Sequence, residues 1–270
     1  MVRLLVFVLL PGCLLAGCDD AAAGESLLER LQIVTIVAQT PELAPGQSTD
    51  LTVWTADPDG VGVDLLVWSC TLLGEGCFEA AFPLSTWVRP TDVLDGFGAT
   101  SLAVPGEVGE IVPQGLVIPT SVWALACEPG LCPVIDAARD GTVDPALLGD
   151  PEALMRDLPI EGTSLVRRSV SLSWSDEPNR NPAITAAPPS GAVDVSPGQT
   201  EDLALVVSDS TDVVADAYTT CGAMSPPRWN GHDLAFSWTA PADAGKCDLW
   251  IVLEDGLGGS AVWHGVRDVR

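Results

Sequence analysis

One pattern of nine residues occurs twice in the chain, and it limits the fold more than any other feature. Pro45-Gly46-Gln47-Ser48-Thr49-Asp50-Leu51-Thr52-Val53 returns as Pro197-Gly198-Gln199-Thr200-Glu201-Asp202-Leu203-Ala204-Leu205. Each copy opens on a Pro-Gly turn and then alternates polar and apolar residues, the period of a half-buried strand. Each then reaches an acidic turn, Asp57-Pro58-Asp59-Gly60 in one and Asp209-Ser210-Thr211-Asp212 in the other. The next strand repeats too, with Asp64-Leu65-Leu66-Val67-Trp68-Ser69-Cys70 matching Ala215-Asp216-Ala217-Tyr218-Thr219-Thr220-Cys221 after a one-residue slip. A repeat at this spacing is a duplicated module, and 270 residues suffice for two. The 22 prolines and 26 glycines suit short strands joined by turns better than a helical bundle.

The second module, residues 183–270, is compact, with strands expected over 201–208, 215–221, 233–238, 247–254 and 259–266. Regular short strands between turn signals imply a β-sandwich. The first module, residues 31–176, carries two loop insertions, at 78–119 and 136–162, which are the places to seek a binding face. In the second insertion Asp150, Pro151 and Glu152 supply an N-cap, a first-turn proline and a dipole-matched acid for a helix through Met155. Leu154, Met155 and Leu158 are expected to face the sandwich. Residues 164–174 close the module as a strand, and 177–182 form a short polar linker. The expected fold class is all-β, two sandwiches in tandem.

At the N-terminus a single Arg3 precedes the apolar run 4–10, then Pro11-Gly12 and the small residues Ala16 and Gly17. That is the layout of a secretory signal, too short to span a bilayer comfortably. Leu15-Ala16-Gly17-Cys18 resembles the bacterial lipobox. The resemblance implies that residues 1–17 are a lipoprotein signal peptide and that Cys18 becomes the lipidated N-terminus. Residues 18–30 are then a lipidated tether, on the exported side of a bacterial cell envelope. Two or three acyl chains hold a protein lastingly where one does not. The alternatives are ordinary secretory cleavage, an uncleaved anchor, or processing at Cys13. Asp19 resembles the inner-membrane retention signal of some Gram-negative sorting systems, and inner versus outer membrane stays open.

The passages Phe236-Ser237-Trp238-Thr239-Ala240-Pro241, Ala244-Gly245-Lys246-Cys247-Asp248-Leu249 and Asp255-Gly256-Leu257-Gly258-Gly259 resemble bacterial Ig-like and PKD-like modules. The first module, from Leu31-Gln32-Ile33-Val34-Thr35-Ile36-Val37 through the Pro45-Gly46 and Asp57–Gly60 turns, resembles the first Ig-like domain of predicted bacterial surface lipoproteins. Thr40 stands where that group has a proline. The resemblance implies Ig-like architecture and a surface address, and brings no activity with it.

Beyond Cys13 and Cys18 six cysteines remain, an even number for an oxidising compartment. Cys221 ends one strand and Cys247 begins another, so antiparallel neighbours bring them together. Cys70 and Cys127 both end strands and so lie at opposite edges, which favours the local pairs Cys70–Cys77 and Cys127–Cys132. A zinc site built from these four is the competing reading. Asp57, Asp59 and Asp64 are weak calcium candidates, set against a turn in which aspartates bond their own backbone. No other cofactor is expected.

His232 and His264 are the sole histidines, and no nucleophile elbow accompanies them. No enzyme is therefore expected. Trp54, Trp68, Trp123, Trp174, Trp238 and Trp250 fall at strand positions suited to the core, while Trp87, Trp229 and Trp263 are less clearly internal. A formal charge of −25 repels nucleic-acid phosphates and excludes that class of partner. The expected partners are the membrane, through the anchor, and an envelope or extracellular protein or glycan. A calcium-dependent adhesion or carbohydrate-binding module is the alternative function.

Overall fold

The computed structural model describes residues 26–71, 87–94, 96–104, 106, 117–159, 161–208 and 212–270. The first repeat builds β1 (Gln32–Ala38), β2 (Glu42–Leu43), β3 (Ser48–Ala56), β4 (Asp64–Thr71), β5 (Trp87–Leu94), β6 (Phe97–Ala103), β7 (Ile118–Cys127) and β8 (Thr163–Leu172). Between β7 and β8 stand three short helices, α1 (Pro133–Arg139), α2 (Pro145–Gly149) and α3 (Pro151–Asp157). The second repeat builds β9 (Ala183–Ala186), β10 (Ala192–Val195), β11 (Thr200–Ser208), β12 (Val214–Thr219) and β13 (Ala223–Met224). It continues through β14 (Arg228–Asn230), β15 (Asp233–Thr239), β16 (Gly245–Glu254) and β17 (Ser260–Val269).

In the second unit β9, β11, β15 and β13 form one sheet, with β14 also on β15, and β10, β17, β16 and β12 form the other. The first unit uses the same plan, β1-β3-β6 against β4-β7-β8-β2. In each, the opening stretch of chain changes sheets, so β2 runs parallel to β8 and β10 parallel to β17. This is the strand order of an immunoglobulin-like sandwich. The chain is an all-β protein of two such sandwiches in tandem.

The Pro-Gly-Gln motif recurs because one turn is built twice. Gly46 and Gly198 take positive φ, +82° and +71°, which a residue with a side chain adopts at a cost. The Gln47 and Gln199 amides donate back to the carbonyls of Ala44 and Ser196, 3.1 Å in both copies. Their side-chain carbonyls accept the amides of the same two residues, at 3.0 and 3.3 Å. Each turn is then held from outside, Val104 and Ala240 both donating to the glutamine carbonyl at 2.9 Å.

The units differ on one side. In the first, β5 pairs with β4 over residues 87–92 and then with β6 at Val93 and Leu94, joining the two sheets. In the second, no described strand joins β12 to β13, and that side is open. Residues 78–119, expected as a loop insertion, therefore contain two sandwich strands. Pro90 makes β5 read as loop, yet it is tolerated because this stretch pairs on one side only.

Each sandwich has its own core, one around Ile36, Leu51, Val67 and Val122, the other around Leu205, Trp238, Leu249 and Ile251. The second core also holds Arg267, fully buried. Its guanidinium grips Glu201 of the facing sheet with both prongs, 2.7 and 3.1 Å, and donates to the Val266 carbonyl at 3.0 Å. Bidentate pairing satisfies a charge that burial alone would make costly. The matched residue of the first repeat is Thr49, which instead accepts the Thr40 amide at 2.8 Å.

The run Leu65-Leu66-Val67-Trp68 in β4 is apolar throughout because both faces of that sheet are covered, and none of the four is exposed. Leu65 and Val67 enter the sandwich core. Leu66 and Trp68 point outward and pack with Leu125, Val134, Ile135, Leu148 and Leu154 beneath the helices. The helix at Asp150 forms as expected, its carboxylate capping the Ala153 amide at 2.9 Å. The two helices before it carried no comparable signal beyond their prolines, being seven and five residues long.

Candidate functional site

Cys221 and Cys247 form a disulfide with Cα atoms 5.3 Å apart. The β12–β16 ladder sets this up, since Thr219 faces Leu249 and the register carries Cys221 opposite Cys247. Cys127 and Cys132 form a second disulfide, Cα atoms 6.1 Å apart, at the root of the helical insertion. That bond removes the two thiolates a zinc site needs there. Asp64 lies opposite Cys127 while Cys70 lies opposite Ser121, so Cys70 and Cys127 stand at opposite ends of their ladder. Cys18, Cys77 and the Cys70 side chain lie outside the described part of the chain.

Of the three carboxylates at the acidic turn, Asp57 and Asp64 bond within the protein and Asp59 is exposed. Asp57 accepts the Gly62 amide at 2.8 Å, and its carbonyl accepts the Gly60 amide at 3.2 Å. Asp64 pairs with Arg139 of α1, tying the turn to the helical insertion. Among the described residues no group of three or more His, Cys, Asp or Glu side chains is arranged to hold a metal ion.

The largest constellation lies between the sandwiches. The outer face of β16 and β17 presents Trp250, Val262 and His264, and the first sandwich covers it with Val34, Trp54 and Ala56. The His264 ring stacks on Trp250 at 5.1 Å, meets Trp54 of the other sandwich at 5.4 Å, and bonds Asp248 through Nε2 at 2.9 Å. His264 is the polar centre of an aromatic joint. The imidazole, held by Asp248 and two rings, acts here as a packing element.

Residues 177–182 and the hairpin tip complete the joint. Asn181 donates to the Ala38 and Gln39 carbonyls at 2.7 and 3.1 Å, and its side-chain oxygen accepts the Ser260 amide at 2.9 Å. Asn179 donates to Asp255 at 2.8 Å, and Arg168 of β8 pairs with Glu254. Asp255 folds the tip by accepting the amides of Leu257 and Gly259, both at 2.8 Å. A Cβ on Gly258 would meet the Ser169 carbonyl at 2.9 Å, so the Gly-Gly pair leaves room for the neighbouring sandwich. Because Asn181 holds one end of β1 and Ala56, opposite Gln32 at the other end, joins the Trp250 cluster, the second sandwich lies alongside the first.

The chain enters through the same joint. Leu27 bridges Thr219 in parallel, the Leu28 amide donating to the Thr219 carbonyl at 2.8 Å and the Thr219 amide to Ser26 at 2.9 Å. Leu28 is 3% exposed and joins the Trp250 cluster. Residues 26–28, read from sequence as part of a tether, are thus seated against the second sandwich. A lone Leu27-Leu28 pair was the signal available for this. Trp263 is buried and Trp174 exposed, the reverse of the sequence expectation. Among the described residues no helix is long and apolar enough to cross a membrane.

No protein-family model and no curated protein matches the chain. Among solved structures it is similar to the titin domains z1z2 in complex with telethonin, at 11% identity, 90% of this chain and 94% of that one, with a TM-score of 0.26. The N-terminal Ig1-2 module of Drosophila Receptor Protein Tyrosine Phosphatase DLAR gives 12% identity over 89% of this chain and 99% of that one, TM-score 0.31. Titin M4 matches a single unit, 18% identity over 33% of this chain and 95% of that one, TM-score 0.26. The class, tandem Ig-like sandwiches, rests on strand order and pairing.

Proposed function

We propose that this chain is a non-enzymatic lipoprotein of the bacterial cell envelope, anchored through Cys18 and presenting two Ig-like sandwiches for a structural or binding role. The observation that carries the reading is Leu15-Ala16-Gly17-Cys18 directly behind a charged and apolar leader. Two disulfides downstream, Cys127–Cys132 and Cys221–Cys247, support an oxidising compartment. The dense internal use of His264, Asp248 and Asp57 supports a structural rather than a catalytic account of those residues. The partner class is an envelope or extracellular protein or glycan. Mass analysis of the mature N-terminal peptide tests the anchor: acylated Cys18 is expected, and Cys18→Ser abolishes acylation. A mature peptide that retains residues 1–17, or begins at Cys18 without acyl mass, ends the reading.

A further inference from the structure

The anchoring reading has a geometric consequence for which side of the protein meets the lipid. Eight chain steps separate Cys18 from Ser26, the first described residue, whose carbonyl accepts the Thr219 amide. Fully extended they reach about 28 Å, and as a flexible coil about 16 Å. A folded chain of this size has a radius of gyration near 18 Å. The tether is therefore shorter than the body it holds, and the surface around Ser26 is kept close to the membrane.

Ser26 lies on the open side of the second sandwich. It lines a hollow of about 310 Å³ with Ala215–Tyr218 of β12 and Met224, Ser225, Pro226 and Pro227. In the first sandwich β5 closes the corresponding side. Here β12 is the outermost strand of its sheet, flanked beyond Thr219 by Leu27 alone among the described residues. The rim is amphipathic: Val214 is 60% exposed and Trp229 37%, with Pro226, Arg228 and the carboxylate-bearing Asp216 exposed beside them. Tryptophan and arginine side chains suit the headgroup layer, with an apolar body and a polar tip. The net charge of −25 opposes contact with anionic lipid, so the fit is to zwitterionic headgroups.

We propose that the open side of the second sandwich, from Val214 to Ala217 and from Pro226 to Trp229, rests on the lipid headgroups. The inference depends on the Cys18 anchor and adds to it an orientation. The helical cover of the first sandwich is then free to meet a partner.

Hydrogen exchange on the full lipidated protein in phosphatidylcholine vesicles tests this. Amides over 214–218 and 228–230 are expected to exchange about fivefold more slowly than in a variant with 20 Gly/Ser residues inserted after Asp20, a spacer whose coil spans about 25 Å. Trp229→Ser, an exposed change, is expected to reduce the protection over 228–230. Equal protection with the long spacer overturns the inference and assigns that edge to the chain itself or to a protein contact. Protection confined to α1–α3 overturns it as well. An acylated N-terminal peptide with neither segment protected overturns the orientation alone, whereas a peptide without acyl mass overturns orientation and anchor together.

Discussion

The two sandwiches share one apolar surface and cover it by different means. In the first, the outer face of β4 and β7 carries Leu66, Trp68 and Leu125 and is roofed by α1–α3 from the same module. In the second, the outer face of β16 and β17 carries Trp250 and Val262 and is roofed by β1, β3 and Leu28. At roughly 25 cal/mol per Å² of apolar surface, an uncovered tryptophan-bearing face is a liability of several kcal/mol. One copy acquired an insertion to meet it; the other is met by its neighbour. The tandem is held by burial of a sheet face on each side, Val34, Trp54 and Ala56 of the first sandwich against Trp250 and Val262 of the second.

Removing the middle of the helical roof breaks that contrast most sharply. Leu148 is fully buried, and Leu148→Ala is expected to cost about 4 kcal/mol, seen in chemical denaturation as a lowered midpoint. Next come the staples beneath each face. By loop-closure entropy the Cys221–Cys247 bridge, with a separation of 26 residues, contributes about 3.5 kcal/mol, and Cys127–Cys132, with a separation of 5, about 2. Double Cys→Ala variants of each pair, compared by thermal unfolding, check that order.

Leu28→Ala is expected to cost about 2 kcal/mol and to do so differently, by uncoupling the units. Calorimetry of the wild type should show one transition, and the variant two. A single transition in the variant would show that the hydrogen bonds of Asn181 and Asn179 suffice to couple the sandwiches.

The smallest effect is a matter of pH. Asp216 beside the joint has its carboxyl pushed above the ordinary range, first by burial and then by Glu254. The folded chain holds that proton more tightly than the unfolded one, so stability falls as pH rises just above the ordinary carboxylate range. Asp216→Asn is expected to remove that fall and to leave stability below pH 3 unchanged, read from denaturation midpoints at pH 3 and pH 6.

Much of the frame is legible in the residues themselves. The Pro-Gly-Gln turn, the Asp150 cap and the pairing of Cys221 with Cys247 follow from local chemistry or from register within one ladder. Illegible elements are those whose partner is distant. Strand β5 hides behind Pro90, whose missing N–H matters only if both edges are paired. Likewise Trp174 lies two residues past the end of β8 while Trp263 lies within β17, and where a strand stops is set by its partner. Gly258 and Gly259 look like any hairpin tip until Ser169 is placed against them.

The sequence by itself determined that the chain is duplicated, all-β and stapled, because turns, caps and strand alternation are set by neighbours a few residues apart. Only the tertiary structure decided that the units lie side by side, that residues 26–28 dock on the far unit, and that His264 sits between two tryptophans. The physical reason is that an outward apolar face specifies a need for cover without specifying what supplies it. Here a helical insertion served one copy, and the other copy was served by its twin.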